Sequence, residues 1–268
     1  MGASVSKSTR PRRVILGSIG VFTFLAVWYL LSLALPPVRL PSPFAVLGVA
    51  VPLLFSSPAL ASQFGSGEGG IAPHLLVSLG RMLVGCGIGV LGGVVVGLAM
   101  SYDRRVGDLL NLPTRMLRAV PPLALIPFML VWFGTGATAQ IGLIALYIFL
   151  IMLVTTTSAV RNVAPVYARF ARTMGATRLQ MYRQVVLPAI LPELLGALRV
   201  SLAFAWGLLV VAELVGGQFG IGRVLSLLIP LLQTRELMAA VLWVVVVAII
   251  LDLAVLALYR RLLRWRHA

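Results

Sequence analysis

Residues 14–35 pass through 22 positions without a charged side chain. At ~1.5 Å per residue, a helix of that length crosses a hydrocarbon layer of ~30 Å. Lipid offers no water to backbone N–H and C=O groups, so a run of this kind must bond to itself as a helix. The apolar core of a cleaved secretory signal is shorter, about 7–15 residues, so 14–35 reads as a retained first span. Further apolar runs at 73–100, 120–133, 138–160, 189–215 and 238–259 bring the candidates to six. With 60% of residues apolar, 11% charged and a mean hydropathy of +1.04, the chain falls in the membrane class. The expected fold class is an all-α membrane protein with six transmembrane helices. The run 120–133 is the weakest, short and interrupted by Pro121, Pro122 and Pro127. It is tolerable only against other helices or a wet cavity, and 109–117 could extend it backwards.

The net charge of +15 raises nucleic acid as a partner, but the basic residues sit in short clusters beside apolar runs, a pattern that sets membrane topology. Of the 22, 17 fall on one side: the N-terminal tail (Lys7, Arg10, Arg12, Arg13), the second connection (Arg104, Arg105, Arg115, Arg118), the fourth (Arg161, Arg169, Arg172, Arg178, Arg183) and the C-terminal tail (Arg260, Arg261, Arg264, Arg266). Only Arg39, Arg223 and Arg235 fall on the other, while Arg81 and Arg199 lie inside spans. This bias predicts a multi-pass membrane protein with both termini and the loop 161–188 in the cytoplasm. The expected organisation is a basic tail at 1–13, a six-span domain at 14–259 and a second basic tail at 260–268. Nucleic acid is not an expected partner; the lipid bilayer is. The outer connection 36–72 is rich in Pro, Ser and Gly, including the run 64–70, and reads as a connector with little regular structure. A short helix over 224–232 is expected at the outer face. Gly85, Gly89, Gly93 and Gly97 recur at i, i+4 in the second span, a face suited either to packing within the subunit or to a dimer seam.

The chain lacks the usual signatures of catalysis. Lys7 is its only lysine, so no Walker A loop is present to hold nucleotide phosphates. HExxH and GxSxG are missing as well. Cys86 is the single cysteine, and His74 and His267 stand near opposite ends, so no metal site is expected. Met1–Ser6 matches a myristoylation pattern, but a chain held by six spans needs no lipid anchor. The reading is a non-catalytic membrane subunit without a cofactor of its own.

The cytoplasmic segment 161–188 asks for a specific reason to exist. Residues 165–174 favour a helix, which Gly175 stops. A second helix over 177–186 follows, capped by Thr177 and ended by Leu187-Pro188. Phe170, Met174, Leu179, Met181 and Tyr182 supply apolar knobs among the arginines, as a docking surface requires. The alternative is a solvated loop whose arginines enforce topology or touch anionic lipid.

Gly175, nine further residues and then Val185-Val186-Leu187-Pro188 resemble the "EAA" loop of binding-protein-dependent ABC importer permeases, EAA–x3–G–x9–I–x–LP. Leu40-Pro-Ser-Pro43, the stretch from His74 to Arg81, the stretch from Val120 to Pro127 and Trp132-Phe-Gly134 are similar to the nitrate/sulfonate/taurine branch, so the resemblance runs over about residues 40–265. It implies a type I importer-like fold in which 161–188 couples to separate ATPase subunits that bind ATP and Mg. It also implies a homodimer with a second copy, an external solute-binding protein, and a small organic or inorganic anion such as a sulfonate, taurine or nitrate as solute. Carried onto this sequence, the coupling residues are Arg169, Phe170, Ala171, Met174, Gly175, Ala176, Leu179, Leu187 and Pro188. Arg169 and Phe170 depart from the pattern, since the family has glutamate and alanine there. A self-contained secondary transporter or channel is the competing reading; it would not need the cytoplasmic helix–turn–helix and would more often show inverted repeats.

Charges inside spans are costly and ask for a partner or a wet cavity. Arg199 lies ~16 Å along the helix beyond Pro188, and Asp252 lies ~12 Å before Arg260. Similar depth allows a pair joining the fifth and sixth spans; the alternative is that each faces the inner interface separately. Arg81 could snorkel outward or attract an anion in the pathway. Glu213, near the outer end of the fifth span, could serve a gate or reach water.

Overall fold

The computed structural model describes residues 9–58, 60–61 and 69–263. Lys7, Arg264, Arg266, His267, residues 1–6 and most of the glycine-rich run 64–70 lie outside the described residues. The elements are α1 (Thr9–Ala34), α2 (Pro43–Phe55), α3 (Ala72–Tyr102), α4 (Arg104–Ala119), a 3-10 turn (Pro122–Leu125), α5 (Ile126–Phe133), α6 (Ala137–Asn162), α7 (Pro165–Thr173), α8 (Arg178–Met181), a π turn (Tyr182–Val186), α9 (Leu187–Gly216), α10 (Ile221–Leu228) and α11 (Thr234–Leu262). Among the described residues five helical stretches are long and apolar enough to cross a membrane: Ile15–Ala34, Ala72–Tyr102, Ala137–Asn162, Arg178–Gly216 and Thr234–Leu262.

The sixth expected span takes a broken form. α4 and the segment Pro122–Phe133 form a pair bent by 89°, so residues 120–133 extend backwards only across a corner. Val120 and Pro121 are extended there, and Pro121 and Pro122 have no N–H with which to continue the α4 ladder.

The chain divides into two compact units. One takes in the described part of Met1–Ile71 together with Leu227–Trp243. Here the expected irregular connector contains α2. Ser42 accepts a hydrogen bond from the Ala45 N–H at 3.3 Å, and Pro43 occupies the first helical turn, so Leu40-Pro-Ser-Pro43 is a helix start. Val46, Ala50 and Leu53 are buried, and the Trp243 indole donates to the Ala50 carbonyl at 2.8 Å. The Pro, Ser and Gly content of the whole stretch masked this local signal.

The other unit holds Ala72–Ser226 and the described part of Val244–Ala268. Its spine is α3 lying along α6. Gly85, Gly89, Gly93 and Gly97 are buried in that seam. A Cβ on Gly89 would stand 2.7 Å from the Ala145 carbonyl oxygen, and one on Gly93 would stand 2.5 Å from that of Phe149. The stripe therefore serves packing within the subunit. α9 packs on the same α6, and the Trp206 indole on α9 donates to the Val244 carbonyl on α11 at 3.0 Å. α10 begins at Ile221, three residues earlier than the expected 224, and ends at Leu228.

Candidate functional site

The segment 161–188 is built by short-range chemistry. α7 starts on Pro165 and closes in a Schellman turn: Ala176 N–H donates to the Ala171 carbonyl at 3.0 Å and Gly175 N–H to that of Arg172 at 2.9 Å. Gly175 takes φ +77°, the left-handed geometry that spares a Cβ only in glycine. Thr177 and Gln180 then form a reciprocal capping box at the start of α8. Phe170, Met174 and Leu179 are 68%, 73% and 60% exposed, with Arg169 exposed beside them, whereas Ala171 is buried and Ala176 half-buried. The segment thus offers water Phe170, Met174 and Leu179, with Val166, Tyr167 and Leu187 also exposed, on a capped helix–turn–helix.

Its far end corrects one expectation. Leu187-Pro188 does not terminate the second helix. The chain widens into the π turn, where Leu187 N–H donates to the Tyr182 carbonyl, and runs on into α9 with Pro188 in that helix's first turn. A π turn is the device that lets a helix pass a misfit without breaking. Helix Arg178–Gly216 is consequently one 39-residue body, with Leu179, Leu187 and Pro188 in its first turns. Tyr182, expected among the docking knobs, is half-buried, and its hydroxyl donates to the Ser101 carbonyl.

Both intramembrane arginines meet a carboxylate. Arg199 donates to Asp252 through Nε at 2.5 Å and Nη2 at 2.7 Å, a two-pronged pair between α9 and α11. Its side chains are 45% and 42% exposed. Arg81 does not snorkel: only 11% exposed, it donates through Nη1 to Glu213 at 2.9 Å and to the Phe219 carbonyl at 2.6 Å. Glu213 is fully buried rather than reaching water. Its carboxylate also accepts from the Ser78 hydroxyl at 2.7 Å and the Gly222 N–H at 3.1 Å. Ser78 in turn accepts from the Ile221 N–H at 2.9 Å, and His74 Nδ1 accepts from the Gly220 N–H at 3.3 Å while its ring stacks on Phe219. The loop 217–222 closes directly over the carboxylate because Gly220 and Gly222 carry no side chain: a Cβ on Gly220 would fall 2.3 Å from the Glu213 carboxyl carbon, and one on Gly222 2.6 Å from the Glu213 Cβ.

Residues 89–267 match the model of the binding-protein-dependent transport system inner membrane component family, about two thirds of the chain. The chain belongs to this family. It is 34% identical over 251 residues to the taurine transport system permease protein TauC of Escherichia coli K12, covering 92% of this chain and 89% of that one. It is also 34% identical over 201 residues to the aliphatic sulfonates transport permease protein SsuC of Bacillus subtilis 168, covering 75% and 73%. The inward-facing methionine ABC transporter MetNI shares its fold at a TM-score of 0.63 and 20% identity, over 72% of this chain and 95% of that one. The protein is a multi-pass permease subunit of the ABC-transporter class, with the helical fold of type I importers.

In this permease, pairing between Arg81 and Glu213 escaped the sequence because each was assigned alone. The depth reasoning applied to Arg199 and Asp252 would have found it, since Arg81 lies eight residues after Pro73, near the start of one apolar run, and Glu213 stands just before Gly216, near the end of another that runs the opposite way. The partners of Tyr182 and Arg178 at the end of α3 had no comparable signal.

Proposed function

We propose that this permease pairs with a second copy of itself and translocates a small anion such as a sulfonate, taurine or nitrate. An external solute-binding protein delivers the solute, and separate ATPase subunits, which bind ATP and Mg, power transport by docking on residues 161–188. Both termini and the docking segment face the cytoplasm. The observation that carries this reading is the exposed trio Phe170, Met174 and Leu179 on a capped helix–turn–helix at the tip of a spanning helix. An apolar group in that setting gains from burial against a partner, roughly 1.5–3 kcal/mol per large side chain. Arg169, where the family has glutamate, calls for an acidic residue on the ATPase surface it meets. The names of the taurine and sulfonate relatives support the choice of solute, and the arginine bias supports the orientation.

Copurification tests the docking. The tagged wild type should bring down an ATPase, and Phe170→Asp with Met174→Asp should lose it while remaining folded in the membrane. Retention of the ATPase by the folded double variant would defeat this assignment. For the solute, isothermal titration of the cognate binding protein with taurine, alkanesulfonates and nitrate should give micromolar or tighter binding to at least one; binding of only solutes that carry no sulfonate, nitrate or other anionic group would refute this reading.

A further inference from the structure

Helix α3 ends at Tyr102, and its last carbonyls have no partner within the helix. Two of them are taken by side chains from the coupling segment. Tyr182 Oη donates to the Ser101 carbonyl at 2.8 Å, and Arg178 Nη2 donates to the Tyr102 carbonyl at 2.8 Å. The Arg178 guanidinium also lies over the Tyr102 ring at 4.7 Å, and the Tyr102 and Tyr182 rings meet edge-on with centroids 5.2 Å apart. A cation at this position complements the negative end of the helix dipole, and the ring contact adds a cation–π attraction. These contacts cross 76 to 81 residues of sequence. They are a built joint, and the docking trio takes no part in it.

The joint matters because of what it links. Through the π turn, α8 is continuous with α9, so any displacement of the coupling segment reaches α9 along the backbone. Nothing in the backbone carries it to α3, whose inner end is separated from α8 by the whole of α4 to α7. α3 is nevertheless locked to α6 along the glycine seam and to α9 at its outer end through Ser78, Arg81 and Glu213. Helices α3 and α9 are therefore tied at both ends, the inner tie being Arg178, Tyr182, Tyr102 and the Ser101 carbonyl.

We infer that Arg178 and Tyr182 are positioning residues that couple the docking segment to α3, so that α3 and α9 follow the ATPase as one frame. This rests on the docking reading above. Replacing either should loosen α3 from the coupling segment while leaving the docking face intact.

Paired nitroxide labels on native Cys86 in α3 and on Arg172→Cys in α7 of one permease copy, its second copy being an unlabelled Cys86→Ser variant, report the joint in the permease–ATPase complex. With Arg178 and Tyr182 present, the measured distance distribution should be narrow and the same in the nucleotide-free and the ATP–vanadate-trapped states. With Arg178→Ala and Tyr182→Phe together it should broaden or differ between the two states, while the ATPase still copurifies. Tyr182→Phe alone, which removes a single hydroxyl, should give a smaller change of the same kind and serves if the double variant does not assemble. An unchanged narrow distribution in an assembled variant would overturn the inference, as would a shift between states in the parent protein. Absence of any ATPase in the parent preparation would instead remove the docking reading, and this inference with it.

Discussion

Arg81–Glu213 and Arg199–Asp252 both fasten α9 to another helix, and both are short, but their surroundings are opposite. The first is sealed: Glu213 is fully buried and takes donors from a hydroxyl, a guanidinium and a backbone N–H. The second is open, with nearly half of each side chain accessible in the isolated subunit. A sealed carboxylate with every donor in place is a structural joint. An open pair inside a spanning segment requires water or protein on its exposed side, because hydrocarbon would solvate neither ion. The two pairs therefore separate the permease into an interior fixed by the chain itself and a face completed by something else, which the proposed pathway between two copies would supply.

The largest effect should come from breaking the sealed pair. Glu213→Ala leaves Arg81 without its carboxylate in a dry site, and losses of this kind cost about 3–5 kcal/mol. The expected outcome is a marked fall in the apparent Tm of the detergent-solubilised protein, or failure to accumulate, and an unchanged melting curve would show that water reaches the site. Gly220→Ala should follow. At φ +120° and 2.3 Å from the Glu213 carboxyl carbon, the added methyl must push the loop off the carboxylate, roughly 1–3 kcal/mol by analogy with overpacked cores. Fluorescence-detected thermal unfolding should place it between the wild type and Glu213→Ala. Asp252→Asn should disturb folding least: the melting curve of the isolated subunit stays close to wild type, while solute uptake by the assembled transporter falls. A variant as unstable as Glu213→Ala would erase the distinction between the two regions.

How much of this was legible beforehand depended on the range of the interaction. Gly175 and Thr177 announced the turn between α7 and α8 because a left-handed residue and a helix cap are decided by a few neighbours. The spans were legible because lipid forces each apolar run to satisfy its own backbone. Pro188 misled, since proline usually ends a helix, and only the π turn shows how the chain accommodates it. Ser42 had the chemistry of a cap, yet it stood in a stretch whose overall composition reads as coil. The ties between α3 and the coupling segment cross too much sequence for spacing to reveal, and they depend on backbone carbonyls that carry no sequence signature.

The π turn also sets an angle. Its i→i+5 bond accommodates one residue more than an α-helical turn of the same rise. Each residue rotates a helix by about 100°. A single deletion within Tyr182–Val186 would let the ladder close as ordinary α-helix, turning α8 by about that amount around the axis of α9. Phe170, Met174 and Leu179 would then address a different azimuth, and Arg178 would swing away from the end of α3. The phase of the proposed docking surface relative to the membrane helices is thus stored in one widened turn.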